Sequence, residues 1–269
     1  MERYEKMIEP IAFIRSDFPE KFGIPRQSGL ARTQAEIVFA PDYQNPDAVR
    51  GLEDFSHIWL IWGFSANEKT PSADHSSKST AVQDRNNVIA DVQDSRNVSS
   101  AEIRKSAMTW KATVRPPRLG GNTRIGVFAS RSPFRPNGLG LSSVRLLRVE
   151  MRENGPVLTV EGADLMDGTP IYDIKPYIPY ADAHPGAVGG FTDSVPRKTL
   201  TVDCPAALLS NIPVNKQEGL LDLLSQDPRP SYQHDPERIY GLSYAGYSVK
   251  FTVAEEILTV REIFPLTNQ

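Results

Sequence analysis

Cysteine is almost missing from this chain: Cys204 is the single one among 269 residues. That excludes an internal disulfide, a CxxC zinc site and the multi-cysteine iron–sulfur cluster of radical chemistry. Histidine is scarce as well. His57, His75, His184 and His234 fall without HxH or HxxxH spacing, so no metal held by Cys and His is expected. No apolar run approaches the length of a membrane helix, and the N-terminal MERYEKMIEP is charged where a signal peptide is apolar, which predicts a cytoplasmic protein. Two further absences are local. Between Asn67 and Thr109 there is no Phe, Tyr or Trp, and Ser, Asn, Asp, Lys and Ala prevail, a composition that cannot bury enough apolar surface to fold alone. VQDRNNV at Val82 and VQDSRNV at Val92 nearly repeat each other there, as slippage in a tolerated surface loop would leave them. Residues 66–107 are therefore expected to be a mobile insertion. Between Trp110 and Val149 there is no Asp or Glu, although the whole chain carries a net charge of −3.

What that acid-free block does contain is Lys111, Arg115, Arg118, Arg124, Arg131, Arg135, Arg145 and Arg148. The arginines are interleaved with Pro-Pro, Gly-Gly and Pro-Asn-Gly, so they belong on bent, presentable backbone rather than on one helix face. A concentrated positive surface on an otherwise acidic protein points to a polyanionic ligand, with RNA or DNA in first place. Arg115, Arg118, Arg124 and Arg135 are the phosphate contacts this reading favours, joined by Arg229, which stands between two prolines in Asp227-Pro-Arg-Pro-Ser-Tyr.

Short segments rich in β-branched and aromatic residues, bounded by Gly, Pro, Asn or Ser, dominate the first two-thirds. They predict strands over Ile11–Arg15, Glu36–Phe39, His57–Phe64, Lys111–Arg115, Ile125–Ala129, Ser142–Arg152, Val157–Glu161 and Ile171–Ile178, with one helical turn at Asp47–Asp54. Many short strands without long helices between them suggest a mainly β protein, an antiparallel barrel or sandwich rather than a doubly wound sheet. After the Pro- and Gly-rich passage from Pro176 to Pro196 the pattern changes. Lys216–Leu224 has helical spacing, and Ile239–Tyr244, Tyr247–Val253 and Ile257–Val260 read as strands, together a small α+β domain. The expected division is residues 1–190 and 191–269.

Four motifs offer chemistry. Pro25-Arg26-Gln27 reads as a turn, and the Gln27 amide can meet a purine edge or a carboxylate, although an ordinary exposed turn has the same signature. Arg118-Leu-Gly-Gly-Asn-Thr-Arg124 has glycines that let backbone N–H groups approach an anion, but no Lys-Ser/Thr of a P-loop. In Ala129-Ser-Arg131-Ser-Pro-Phe-Arg135-Pro-Asn-Gly the two arginines could grip phosphate or carboxylate, or pair with the Asp-rich segment that follows. That segment, Asp164-Leu-Met-Asp167-Gly168-Thr169-Pro170-Ile-Tyr172-Asp173-Ile-Lys175, has the form of a strand, a turn and a strand. Its carboxylates could bind a ribose hydroxyl, an amine or an ammonium, or pair structurally as Asp173 with Lys175. Gly138-Leu-Gly140 lacks the context of a dinucleotide fingerprint.

Taken together, IPRQSGL, AVRGLEDFSHIW, TVRPPRLGG, RIGVFASRSPFRPNGLGLS and DLMDGTPIYDIKPYIPYAD resemble the TsaA-like, or TrmO, family of tRNA methyltransferases. The resemblance spans roughly Ile8 to Asp182 apart from the insertion, and DPRPSY resembles the family's C-terminal domain. It implies a β-barrel catalytic domain, S-adenosylmethionine as methyl donor, and a homodimer with cofactor sites near the subunit interface. The implied reaction is N6-methylation of threonylcarbamoyladenosine at position 37 of threonine tRNA. Carried over by position, the cofactor pocket includes Pro25, Arg26 and Gln27, then Ser65 and Ala66, Arg131, Leu141, and the Asp167-Gly168-Thr169-Pro170 turn. Ser65-Ala66 stands where family members usually have a histidine and a polar residue. Because the sulfonium charge disappears during transfer, Arg26 and Arg131 belong at the cofactor's carboxylate or sugar edge, or at RNA phosphate, and the Asp167 turn at the adenosine moiety. Asp164 and Tyr172 are the catalytic candidates. Two other readings of the residues stay open, a non-catalytic RNA-binding barrel and a methyltransferase for a small metabolite.

Overall fold

The computed structural model describes residues 7–64, 110–195, 199–229, 233 and 235–266. The predicted insertion and the Ser65-Ala66 pair lie outside the described residues. Eight strands precede residue 177: β1 (Ala12–Arg15), β2 (Gln34–Phe39), β3 (His57–Gly63), β4 (Thr113–Val114), β5 (Ile125–Gly126), β6 (Leu139–Arg152), β7 (Gly155–Glu161) and β8 (Pro170–Pro176). Six of them close into an antiparallel barrel in the order β1-β2-β7-β6-β3-β8, while β4 and β5 form a separate two-stranded ribbon. Closure follows from the alternation written into the strands. In β3 the residues Ile58, Leu60 and Trp62 point inward, and they meet Ile14, Ile37, Val144, Leu158, Val160 and Ile171 in one core.

Strand β6 does the most bending. Its first half pairs with β3 and its second half with β7, and the register shifts between Leu146 and Arg148. A bulge of this kind sharpens the local twist and lets one long strand turn the corner of a small barrel.

The predicted strand over Ile125–Ala129 is corrected to two residues of strand followed by a 3-10 turn at Val127–Ala129. Ser130 curls the chain there: both its amide and its hydroxyl donate to the Val127 carbonyl. Lys111–Arg115 likewise shrinks to Thr113–Val114, since Pro116 and Pro117 have no N–H to continue a ladder. The helical turn expected at Asp47–Asp54 is two 3-10 turns, Pro46–Val49 and Leu52–Asp54.

Beyond the barrel come the short helices α1 (Pro179–Asp182), α2 (Phe191–Ser194) and α3 (Ala206–Leu209), then the long α4 (Val214–Ser225). The strands β9 (Thr201–Asp203), β10 (Tyr240–Tyr244), β11 (Tyr247–Ala254) and β12 (Ile257–Pro265) make a mixed sheet in the order β10-β11-β12-β9, with β9 parallel to β12. Helix α4 buries Leu220, Leu223 and Leu224 on this sheet, and Gly219 leaves room for the Tyr244 hydroxyl.

This second core is not made by the C-terminal residues alone. Phe18 and Ala31, from the connection between β1 and β2, are buried in it, and Phe18 lies 6.0 Å from Tyr244, ring to ring. Polar contacts line the same seam. Lys216 Nζ lies 2.6 Å from Asp17, and Arg32 forks onto Asp222 at 2.7 and 2.9 Å while also meeting Glu218. The connection that carries Pro25, Arg26 and Gln27 is therefore held at both ends by the C-terminal unit.

Candidate functional site

Two motifs separated by 104 positions meet directly: the Arg131 guanidinium donates to Gln27 Oε1 at 2.6 Å. Each is delivered by local stitching. Gln27 returns its own amide N–H to the Arg26 carbonyl. On the other side Ser130 Oγ accepts from the Ser132 amide, Ser132 Oγ accepts from the Phe134 amide, and Arg135 turns back to the carbonyls of Val127 and Ser130. Arg135 thus stitches its loop, and Arg131 is left to project. Among the described residues neither arginine makes a direct hydrogen bond to the Asp-rich segment, where Lys175 lies 3.1 Å from Asp173.

Behind this contact lies a buried polar chain. The Trp62 indole N–H donates to Ser142 Oγ at 3.0 Å, and the Ser142 hydroxyl donates to Asp164 Oδ1 at 2.6 Å. Gly140 makes the arrangement possible, because it faces Trp62 across the β3–β6 ladder and a Cβ there would collide with the indole. Burial holds the Asp164 carboxyl above the ordinary aspartate range. The Ser142 hydroxyl, the Ser28 backbone and the charge of Arg131 all pull the other way without cancelling it. Asp164 is thereby tied electrostatically to the Gln27–Arg131 contact.

The hydrogen bonds of the Asp167-Gly168-Thr169-Pro170 turn run to other residues. Asp167 accepts from the Ser16 amide at 3.0 Å, Thr169 Oγ1 donates to the Met166 carbonyl at 2.7 Å, and the Gly168 amide donates to Ile14. These bonds fasten the turn to the end of β1, where Gly168 borders a hollow of about 250 Å³ with Phe13, Arg15 and Phe39. None of them reaches Gln27 or Arg131. Leu141 lies on the outer face of β6, 53% exposed, beside the inward Ser142. Tyr172 packs its ring over Gly63, at a point where a Cβ would approach within 2.7 Å.

Two further arginines of the acid-free block are each held by one hydrogen bond. Arg118 donates to the Val195 carbonyl at 2.8 Å and Arg124 to Thr113 at 3.0 Å, which leaves most of each guanidinium's donors available. Arg229 is engaged differently. It forms a two-pronged pair with Asp227 at 2.8 and 2.9 Å, its side chain is only 10% exposed, and it borders a second hollow of about 280 Å³ together with Pro25 and Arg26.

Ser142 and Trp62 were not among the sequence-predicted site residues. The signal was present: a serine on an inward position of an apolar strand, two residues after a glycine, requires a polar partner inside the barrel.

Residues 13–99 and 85–183 match the tRNA-methyltransferase O N-terminal domain, and residues 202–266 match the TrmO C-terminal domain. The chain belongs to the TrmO family. Among TrmO relatives, the tRNA (adenine(37)-N6)-methyltransferase of Escherichia coli K12 is 36% identical over 252 residues, covering 91% of this chain and 90% of the relative. A putative S-adenosylmethionine-dependent methyltransferase of Pseudomonas aeruginosa is 36% identical over 244 residues, with 87% of each chain covered. A crystal structure of TrmO from P. aeruginosa superposes with a TM-score of 0.68 at 30% identity, over 98% of this chain and 99% of that one. Membership in TrmO sets aside both the non-catalytic RNA-binding barrel and the small-metabolite enzyme.

Proposed function

We propose that this chain uses the Gln27–Arg131–Asp164 region to methylate N6 of the adenosine at position 37 of tRNA, with threonylcarbamoyladenosine in threonine tRNA as the substrate form. It is an S-adenosylmethionine-dependent tRNA (adenine-N6)-methyltransferase. The observation that carries the reading is the Arg131–Gln27 contact standing beside a buried, hydrogen-bonded carboxylate. That donor set suits the cofactor: a guanidinium and an amide for its aminoacyl carboxylate, and a carboxylate for polar N–H groups. Pro25, Arg26, Gln27, Arg131 and Leu141 would hold it, with Ser65 and Ala66 completing the list inferred from the family.

When bound, S-adenosylmethionine supplies a methyl group already made electrophilic by its sulfonium. The protein's work is then to align the acceptor nitrogen and to exclude water. Asp164 accepts the proton that N6 gives up as its new bond to carbon forms, and its raised affinity for a proton favours that role over an ordinary surface carboxylate. Tyr172, on the Gly63 side of the barrel, lines the approach.

A homodimer completes the arrangement. The family resemblance supports cofactor sites near the subunit interface, with the Asp167–Pro170 turn, fastened to the end of β1, serving the adenosine moiety.

The test is methyl incorporation from labelled S-adenosylmethionine into threonine tRNA with and without the threonylcarbamoyl group. Incorporation confined to N6 of the modified nucleoside is expected. Transfer to unmodified tRNA at the same rate would overturn the substrate form, and transfer to neither would overturn the assignment.

A further inference from the structure

Three aromatic rings stand exposed inside the acid-free block. Phe128 is 71% exposed, Trp110 49% and Phe134 38%. Trp110 and Phe128 lie nearly parallel, 20° apart with centroids at 6.4 Å. Cations lie over two of the rings: Lys111 Nζ is 4.9 Å from the Phe134 ring centre, and the Arg135 guanidinium is 5.8 Å from that of Phe128. The backbone fixes the rings relative to one another, since the Lys111 amide donates to the Phe134 carbonyl at 3.2 Å and the Val127 amide to the Ala112 carbonyl at 3.0 Å. None of these aromatic positions entered the cofactor or phosphate assignments above.

Exposed rings on a fixed backbone, edged by guanidinium and ammonium groups and free of acids for forty residues, suit one class of partner. A second copy of this chain meeting the group patch to patch fits poorly, because like charges would be buried without counter-charge. A single-stranded nucleic acid supplies both complements, a π-face for each ring and phosphates for the cations. Resting on the TrmO reading, we propose that Trp110 and Phe128 form a stacking platform for unpaired nucleobases of the substrate tRNA. It would hold the loop that flanks position 37 while that base is turned toward Asp164, as chemistry on a base requires.

The experiment compares full-length wild type with Trp110→Ala, Phe128→Ala and Phe128→Tyr by fluorescence anisotropy. One probe is a labelled anticodon stem-loop of threonine tRNA, the other a duplex of the same stem without unpaired bases. Each alanine variant is expected to bind the stem-loop roughly 5- to 100-fold more weakly, as loss of one stacked base predicts, with little change on the duplex. Phe128→Tyr should restore affinity. The slope of affinity against salt should stay at the wild-type value, because no phosphate contact has been removed. Equal stem-loop affinity of wild type and both alanine variants would overturn the platform while leaving the methyltransferase intact. Failure of wild type itself to bind either probe would instead count against the tRNA reading. Conversion of a dimer to a monomer by Phe128→Ala, seen by sedimentation with stem-loop affinity unchanged, would also overturn the proposal by making this face a contact between copies.

Discussion

Two side chains decide what the site can bind and what it can do with a proton. Arg131 offers a charge-assisted contact whose loss is worth about 1.5–3 kcal/mol. Arg131→Ala is accordingly expected to weaken S-adenosylmethionine binding roughly 10- to 100-fold in calorimetry, with the fold intact by circular dichroism. Asp164 makes a sharper case. Burial raises its pKa, so the folded protein holds this proton more tightly than the unfolded chain does. Such a group favours folding fully only below the ordinary aspartate range, and that contribution is lost as pH rises through the raised value. At neutral pH the ionised carboxylate therefore costs stability. Asp164→Asn, which keeps an acceptor for Ser142, is expected to raise the melting temperature at neutral pH and to lose that advantage in acid. The same variant should lower kcat on the order of 100-fold or more, as removal of a proton acceptor does. Wild-type kcat should fall in acid at a higher pH than an ordinary aspartate would set. A variant with unchanged activity would remove Asp164 from the chemistry, and a neutral-pH melting point below wild type would show that its buried charge does not cost stability.

At the scale of elements, the ladder between β3 and β6 shows how closely packing and chemistry are joined. Gly140 is there because Trp62 needs the space opposite, and Trp62 in turn fixes the Ser142 hydroxyl that bonds Asp164. Gly140→Ala is expected to cost about 1–3 kcal/mol in urea unfolding, the range for an overpacked core, and to lower activity beyond what the lost stability explains. The strands themselves were largely legible. Tyr247–Ala254 alternates apolar with polar residues, Ala12–Arg15 and His57–Gly63 are short apolar runs rich in aromatic and β-branched residues, and of β6 all but the first three residues are legible. What escaped depends on distance along the chain. The three-residue β9 has too little pattern of its own and exists because β12 offers it a parallel edge. In the site, the Gln27 and Arg131 motifs were each visible, but their hydrogen bond is a product of the barrel that separates them in sequence. Ser142 carries a local signal, a hydroxyl at an inward position, but its partner Asp164 lies 22 residues on and only the barrel brings the two together.

Across the whole molecule the seam between the barrel and the C-terminal sheet governs the Pro25–Gln27 connection. Phe18, 1% exposed, is the chief apolar peg, and Phe18→Ala is expected to cost about 3–5 kcal/mol. The measurement that distinguishes mere destabilisation is cofactor affinity well below the melting point, which should fall because Gln27 loses its anchor. Retention of full affinity would show that the connection holds its shape without the C-terminal unit. The polar side of the seam is weaker. The Arg32 hydrogen bond lowers the Asp222 pKa, so that stabilising contribution is present above the ordinary aspartate range and lost as pH falls through the depressed value. With Arg32 half exposed, solvent screening keeps the contribution small.

The pairing of Phe18 with Tyr244 sets an order of events during synthesis. The peg leaves the ribosome well before its socket, which follows it in the chain. Until then the first long loop of the nascent barrel is tied on the barrel side alone, where the Gly29 amide donates to Gly162 and the Asp167 amide to Phe18. A polypeptide released prematurely would thus carry most of the barrel and leave Phe18 without its aromatic partner.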